Sequence, residues 1–137
     1  MFSISAKGAY GLYALIELAQ VSKGESLQIK DIAERQNLPQ HYLEQLLVVL
    51  RKAGFVKSFR GTNGGYALAT DPGALKVSQI LGALEGPVEI IREQVPRGGL
   101  EFFWSRLEHS INASLDLSLE ELVQEKLRSK SNFNYMI

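Results

Sequence analysis

Residues 29–69, IKDIAERQNLPQHYLEQLLVVLRKAGFVKSFRGTNGGYALA, hold two amphipathic helical stretches, a short turn between them and a glycine-tipped hairpin after them. In the first stretch, Ile29, Ile32 and Ala33 fall at i, i+3 and i+4 on one face of a short helix ending at Gln36. Asn37 stands where the chain must turn sharply, and asparagine tolerates the left-handed backbone that a tight helix-to-helix turn needs. Pro39 suits the start of a second helix, because its φ is already set and its missing N–H is not needed there. Leu43, Leu46, Leu47 and Leu50 then recur at i, i+3, i+4 and i+7, and the pattern predicts a helix end at Ala53-Gly54. The opposite face of that helix carries His41, Glu44, Gln45, Arg51 and Lys52.

Phe55–Phe59 is β-branched and aromatic, and Tyr66–Ala69 alternates large and small side chains, so both read as strands. Between them, Arg60-Gly61-Thr62-Asn63-Gly64-Gly65 supplies residues that accept positive φ, which predicts a hairpin with Arg60 at its tip. Helix, turn, helix and hairpin in this order outline a winged helix-turn-helix, an arrangement that presses a helix and a wing against duplex DNA. An arginine on a slim loop can enter a narrow minor groove, where the negative potential is focused. A phosphate-binding loop is the wrong reading: the glycines lack the Gly-Lys-Ser/Thr ending and lead into a strand.

The rest of the chain fits a small regulator. Its 137 residues, 45% hydrophobic and 22% charged, can bury one modest core. No basic-then-apolar leader and no apolar run of about eighteen residues is visible, so a cytoplasmic protein without membrane contact is expected. Zero cysteines exclude disulfides, thiolate zinc sites and cysteine-ligated iron–sulfur clusters, and no cofactor is expected. The formal net charge of zero hides an asymmetry: residues 1–70 carry +3 and residues 71–137 carry −3. The positive half holds Lys7, Lys30, Arg35, Arg51, Lys52, Lys57 and Arg60, and phosphate affinity depends on such local basic surface.

Upstream, Ser5 is positioned to cap a helix running to about Val21, with an apolar face broad enough for heavy burial. Gly8 and Gly11 weaken this helix by roughly 1 kcal/mol each, which predicts close approach of another backbone. After the wing, Val77, Ile80, Leu81 and Leu84 mark a short helix closed by Gly86-Pro87. Residues 1–86 thus form the winged domain. Residues 87–99 read as a linker with one extended or helical segment and a candidate sensing role. Residues 100–128 read as dimerisation helices, with Leu100, Phe103, Trp104, Leu107, Ile111 and Leu115 in one stripe. Ser118-Leu119-Glu120-Glu121 matches a capping box opening a last helix that ends near Arg128, and residues 129–137 read as a flexible tail. The expected fold is mainly α with a small β-hairpin wing and a long C-terminal dimerisation helix. An apolar stripe of this size favours a homodimer, the alternative being that Phe103 and Trp104 pack on their own winged domain.

Six motifs occur in order along the chain: Lys7-Gly8-x-Tyr10, Asp31 to Gln36, Tyr42-Leu43-Glu44-Gln45-Leu46, Leu50 to Gly54, Arg60-Gly61-x-x-Gly64-Gly65-Tyr66-x-Leu68, and Ala83-Leu84-Glu85-Gly86. Together they resemble the Rrf-type winged-helix regulators over nearly the whole length. The resemblance implies a dimeric bacterial transcription regulator whose partner is double-stranded DNA, and the expected activity is salt-sensitive binding, as a repressor, to a pseudo-palindromic operator, with its own gene a candidate target. It places Tyr42, Glu44 and Gln45 on DNA from the second helix and Arg60 in the minor groove. Gln45 can pair bidentately with adenine, Glu44 can accept from cytosine N4, and Tyr42 can bond phosphate. Lys7, His41, Arg51, Gly61 and Asn63 complete the candidate DNA-binding set. Pro39 departs from the small polar cap common in the family. Cluster-binding relatives carry three cysteines in the stretch matching 87–99, where this chain has none, and a histidine ligand of some relatives is replaced by Leu100-Glu101-Phe102. A signal could instead enter through a small ligand between winged domain and dimer helix, or through a partner protein. A winged helix used only for protein contacts is the competing reading. An enzyme is disfavoured, since His41 and His109 fall on separate helices with no nucleophile or metal-ligand spacing around them.

Overall fold

The computed structural model describes residues 3–62, 64–92 and 94–136, with the backbone alone over 131–136. The order of elements is α1 (Ala6–Ala19), α2 (Ile29–Gln36), α3 (Gln40–Lys52), β1 (Val56–Phe59), β2 (Gly65–Leu68), α4 (Val77–Glu85), α5 (Glu101–Ser114) and α6 (Leu119–Met136). Asn37 is the pivot. Among the described residues it alone combines a side chain with positive φ, at φ +55° and ψ +50°, and it lets the Leu38 N–H close on the Ala33 carbonyl at 2.8 Å. Pro39 then occupies the N-cap of α3, and Gly54, at φ +85°, follows its end. The leucine stripe does what its spacing demands: Leu43, Leu46, Leu47 and Leu50 are all buried, facing Leu15, Ile32 and Ile80 in one core.

The wing is an antiparallel pair with Val56 opposite Leu68 and Phe59 opposite Gly65; β1 begins one residue later than its expected span, and β2 is displaced by one residue toward the N-terminus. A third segment joins it. Leu27 exchanges two backbone hydrogen bonds with Tyr66, at 2.9 and 2.7 Å, so the wing is stitched to the residues that lead into α2. Gly65 permits this approach: a Cβ there would lie 2.4 Å from the Leu27 carbonyl oxygen. The residue has φ +150°, which L side chains rarely adopt.

α1 stops at Ala19, short of Val21, and the reason for its glycines differs from the expected one. Side chains of α4, not a backbone, press against it: a Cβ at Gly8 would meet Glu85 Oε1 at 2.5 Å and one at Gly11 would meet Leu84 Cδ1 at 2.4 Å. The cap is also different. Ser5 holds the N-cap position, but its side chain makes no capping bond. The Glu85 carboxylate supplies the acceptor instead, taking the Gly8 N–H at 2.9 Å, the Ser5 N–H at 3.1 Å and the Ser5 hydroxyl. These donors, the hydroxyl foremost, hold the Glu85 carboxyl below the usual glutamate range, with Lys7 adding a favourable charge.

The capping box opening α6 is formed as read: Glu121 N–H donates to Ser118 Oγ at 3.0 Å and Ser118 N–H to Glu121 Oε2 at 3.4 Å. α6 runs on to Met136, past the end expected near Arg128. Its first turns belong to the winged core, where Leu119 is fully buried and Val123 nearly so. Backbone bonds from Val77 N–H to Leu117 C=O (2.9 Å) and from Leu119 N–H to Leu75 C=O (2.8 Å) fasten this start to the entry of α4. Between α4 and α5 the described residues form turns and bends, without the extended or helical segment expected there.

Candidate nucleic-acid interface

Burying the leucine face of α3 turns the other face outward, and His41, Glu44, Gln45 and Arg51 are all exposed there. Tyr42 differs: it is half-buried, with its ring edge-on to that of Tyr10 on α1 at 5.7 Å between centroids. That contact fixes the ring at the margin of the exposed face. The helix before the turn is anchored by a buried acid, Glu17 of α1, whose Oε1 accepts from Gln36 Nε2 at 2.6 Å. Arg35 Nη1 stands 3.7 Å from the other Glu17 oxygen, so part of Arg35's charge is committed within the protein. Lys57 likewise lies over the Phe59 ring, 5.6 Å from its centroid.

Arg60 follows β1 and is exposed, and the loop after it turns through Gly61 at φ +97°, where a Cβ would have nothing within 4 Å. The Gly64 N–H returns to the Gly61 carbonyl at 2.9 Å, which keeps the tip narrow. Asn63 lies outside the described residues. An open cleft separates wing from helices, lined by Gln28, Lys30, Gln40, Ser58, Arg60 and Tyr66. A winged helix needs such a gap, since the sugar–phosphate ridge between two grooves must pass between the elements that enter them. Gln28 and Gln40 had no role in the sequence reading. Both are polar residues at helix starts, a weak signal that gains meaning only once the wing is placed opposite them. The structure thus brings His41, Tyr42, Glu44 and Gln45 together on one helix, with Arg60 and Gly61 across the cleft. Lys7 is exposed in the first turn of α1, beside Glu85.

α5 carries the other candidate set. None of its residues is buried, Phe102 is 68% exposed and Leu100, just before it, 43%. Phe103 and Trp104 pack edge-on against each other at 5.1 Å, and Trp104 Nε1 donates to the Arg97 carbonyl at 3.0 Å. Neither joins the core.

The comparisons with known proteins agree with this geometry. The profile of the Rrf2 family, described as "Iron-dependent Transcriptional regulator", matches residues 4–125. The HTH-type transcriptional regulator CymR of Bacillus subtilis is 42% identical over 123 residues, covering 87% of this chain and 88% of that protein. The HTH-type transcriptional regulator IscR of Xenorhabdus nematophila is 35% identical over 131 residues, covering 90% and 80%. The solved structure of B. subtilis CymR, titled the global cysteine regulator, superposes with a TM-score of 0.81 at 41% identity over 91% of this chain and 98% of that one. That of T. potens IscR gives 0.75 at 40% identity over 91% and 88%. The residues present do not fit an iron centre: the sequence has no cysteine, and among the described residues no three His, Asp or Glu side chains are placed to hold a metal ion. No helix among the described residues is long and apolar enough to cross a membrane. With its helix-turn-helix, its wing and a profile match over most of its length, the chain belongs to the Rrf2 family of DNA-binding transcriptional regulators and is not an enzyme.

Proposed function

We propose that two copies of this chain, paired through α5, bind a pseudo-palindromic operator in the cytoplasm and repress transcription by occupying it. In this reading α3 enters the major groove with Glu44 and Gln45 toward base edges and Tyr42 toward phosphate. Arg60 enters the adjacent minor groove, and Lys7, His41 and Arg51 contribute basic or polar contacts along the ridge. Gly61 and Asn63 complete the proposed set of DNA contacts. The observation that carries the reading is the division of α3: one face is locked in the core by four leucines, and the other presents an uncommitted glutamine and glutamate beside an arginine-tipped wing. The stripe of Leu100, Phe103, Trp104, Leu107, Ile111 and Leu115 along α5 and its caps, exposed or half-buried throughout and outside the core, supports pairing, because a monomer rarely leaves so continuous an apolar face incompletely covered.

Fluorescence anisotropy with genomic fragments at several salt concentrations tests this. Arg60→Ala is expected to weaken operator binding, and Gln45→Ala to relax base preference at one position by about 1–3 kcal/mol, with both proteins folded. Full affinity and selectivity in both variants would refute the assignment. Sedimentation velocity with Trp104→Glu is expected to convert a dimer to monomer and to lose operator affinity with it.

A further inference from the structure

The outward face of α3 has two flanks, and the wing accounts for one of them. Gln40 lines the cleft shared with Arg60, whereas Tyr42, two residues on and so about 200° around the helix, turns toward α1. A helix lying in a major groove has a sugar–phosphate strand at each border, about 12 Å apart. The wing side of α3 faces one border, and α1 faces the other.

What α1 presents there is a row of rings. Tyr10 packs edge-on to Tyr42 at 5.7 Å between centroids, and Tyr13 lies against Tyr10 at 6.2 Å, with Lys7 exposed one turn before Tyr10. The row is set firmly against the helix-turn-helix, since Glu17, one turn beyond Tyr13, receives Gln36 Nε2 of α2 at 2.6 Å. Packing explains the rings but not what they carry. Among the described residues the hydroxyls of Tyr10, Tyr13 and Tyr42 have no hydrogen-bond partner, and no unpartnered side-chain oxygen is buried, so all three end in solvent. Phenylalanine would fill the same space on Tyr42 and on the core with no polar group to hydrate. A phenol O–H is, however, a neutral donor to phosphate oxygen, and on side chains already ordered by packing it loses little freedom when it binds.

We propose that the hydroxyls of Tyr10 and Tyr13 bind neighbouring phosphates of the strand that borders the major groove on the side away from the wing. Each subunit then grips the groove from both edges, Arg60 at one and the α1 tyrosines at the other. This deepens the reading of α3 as the groove helix and rests on it.

The test uses the full chain and fluorescence anisotropy on two duplexes, a genomic fragment that the parent protein binds and a scrambled duplex of the same length. Tyr10→Phe combined with Tyr13→Phe keeps both rings, so thermal unfolding is expected to match the parent. Each hydroxyl removed is expected to weaken binding about threefold to tenfold, by the same factor on both duplexes, because phosphate contacts carry no sequence information. The slope of affinity against salt is expected to stay that of the parent, since no charge is lost. Should the double variant be destabilised, Tyr13→Phe alone, at the more exposed ring, carries the same expectation for one hydroxyl. Binding within about twofold of the parent on both duplexes overturns the proposal. So does a loss confined to the genomic fragment, which would make the rings part of base reading. A parent protein that binds neither duplex defeats the reading of α3 as well, whereas intact parent binding that ignores the phenylalanines defeats this proposal alone.

Discussion

Gly65→Ala should damage this protein far more than its position in an exposed wing suggests. The new Cβ would sit 2.4 Å from the Leu27 carbonyl oxygen, 2.7 Å from its carbon and 3.1 Å from Gln28 N, all backbone atoms that cannot rotate away. Relief requires β2 to move off Leu27, which breaks the two bonds between Leu27 and Tyr66. Each is worth about 0.5–1.5 kcal/mol net, more where the freed group stays buried, and residual crowding adds about 1–3 kcal/mol. The expected loss is about 2–6 kcal/mol, a large share of the roughly 5–15 kcal/mol of a typical domain. Urea unfolding followed by circular dichroism reads it as a lower midpoint at unchanged slope. Gly61→Ala is the internal control: it shares a positive φ but has open space around it, so it should lose only the left-handed penalty of about 1–2 kcal/mol. The reasoning is refuted if Gly65→Ala proves no worse than Gly61→Ala, or lies within about 0.5 kcal/mol of the parent.

Three further outcomes are expected. Leu119→Ala should cost about 2–5 kcal/mol in urea unfolding, because this first residue of α6 is fully buried in the winged core; a surface-like value would show that α6 does not dock there. Glu85→Gln should flatten the acid limb of stability: a carboxyl held low in the folded state stabilises above its unfolded pKa, and that contribution fades as pH falls through the folded value. Parent and variant should converge in acid, and parallel curves in pH-dependent thermal unfolding would contradict the cap. Asn37→Gly should be tolerated within a few tenths of a kcal/mol and Asn37→Ala should lose about 1 kcal/mol, as judged by midpoints in the same assay.

Local patterns carried the sequence reading a long way. The left-handed turn at Asn37, the leucine stripe of α3 and the Ser118–Glu121 box depend on neighbours three or four residues apart, and each is found where the spacing put it. What was not legible is nonlocal. The acceptor that caps α1 comes from Glu85, eighty residues beyond Ser5, and nothing in the spacing around Ser5 points to it. The bonds of Leu27 to the wing depend on two segments that share no pattern. The last helix is legible from its capping box alone, and only the fold shows that Leu119 and Val123 at its start join the winged core against α1. On the DNA-facing side, residue type named Gln45 and Arg60. Gln28 and Gln40 needed the wing in place before they lined anything.

The paired fastenings at Val77–Leu117 and Leu75–Leu119 bring the chain back to the entry of α4, so residues 86–115, which follow the core helix α4, form an excursion that returns to the same spot. The two ends of that detour are held by the core whatever its path. Residues added to or removed from it change closure entropy only slowly, about 0.6 kcal/mol for each doubling of length. The arm that carries the bare aromatic face can therefore be lengthened, shortened or exchanged while the reading head keeps its fold, which makes this stretch the place to graft a new input onto an unchanged output.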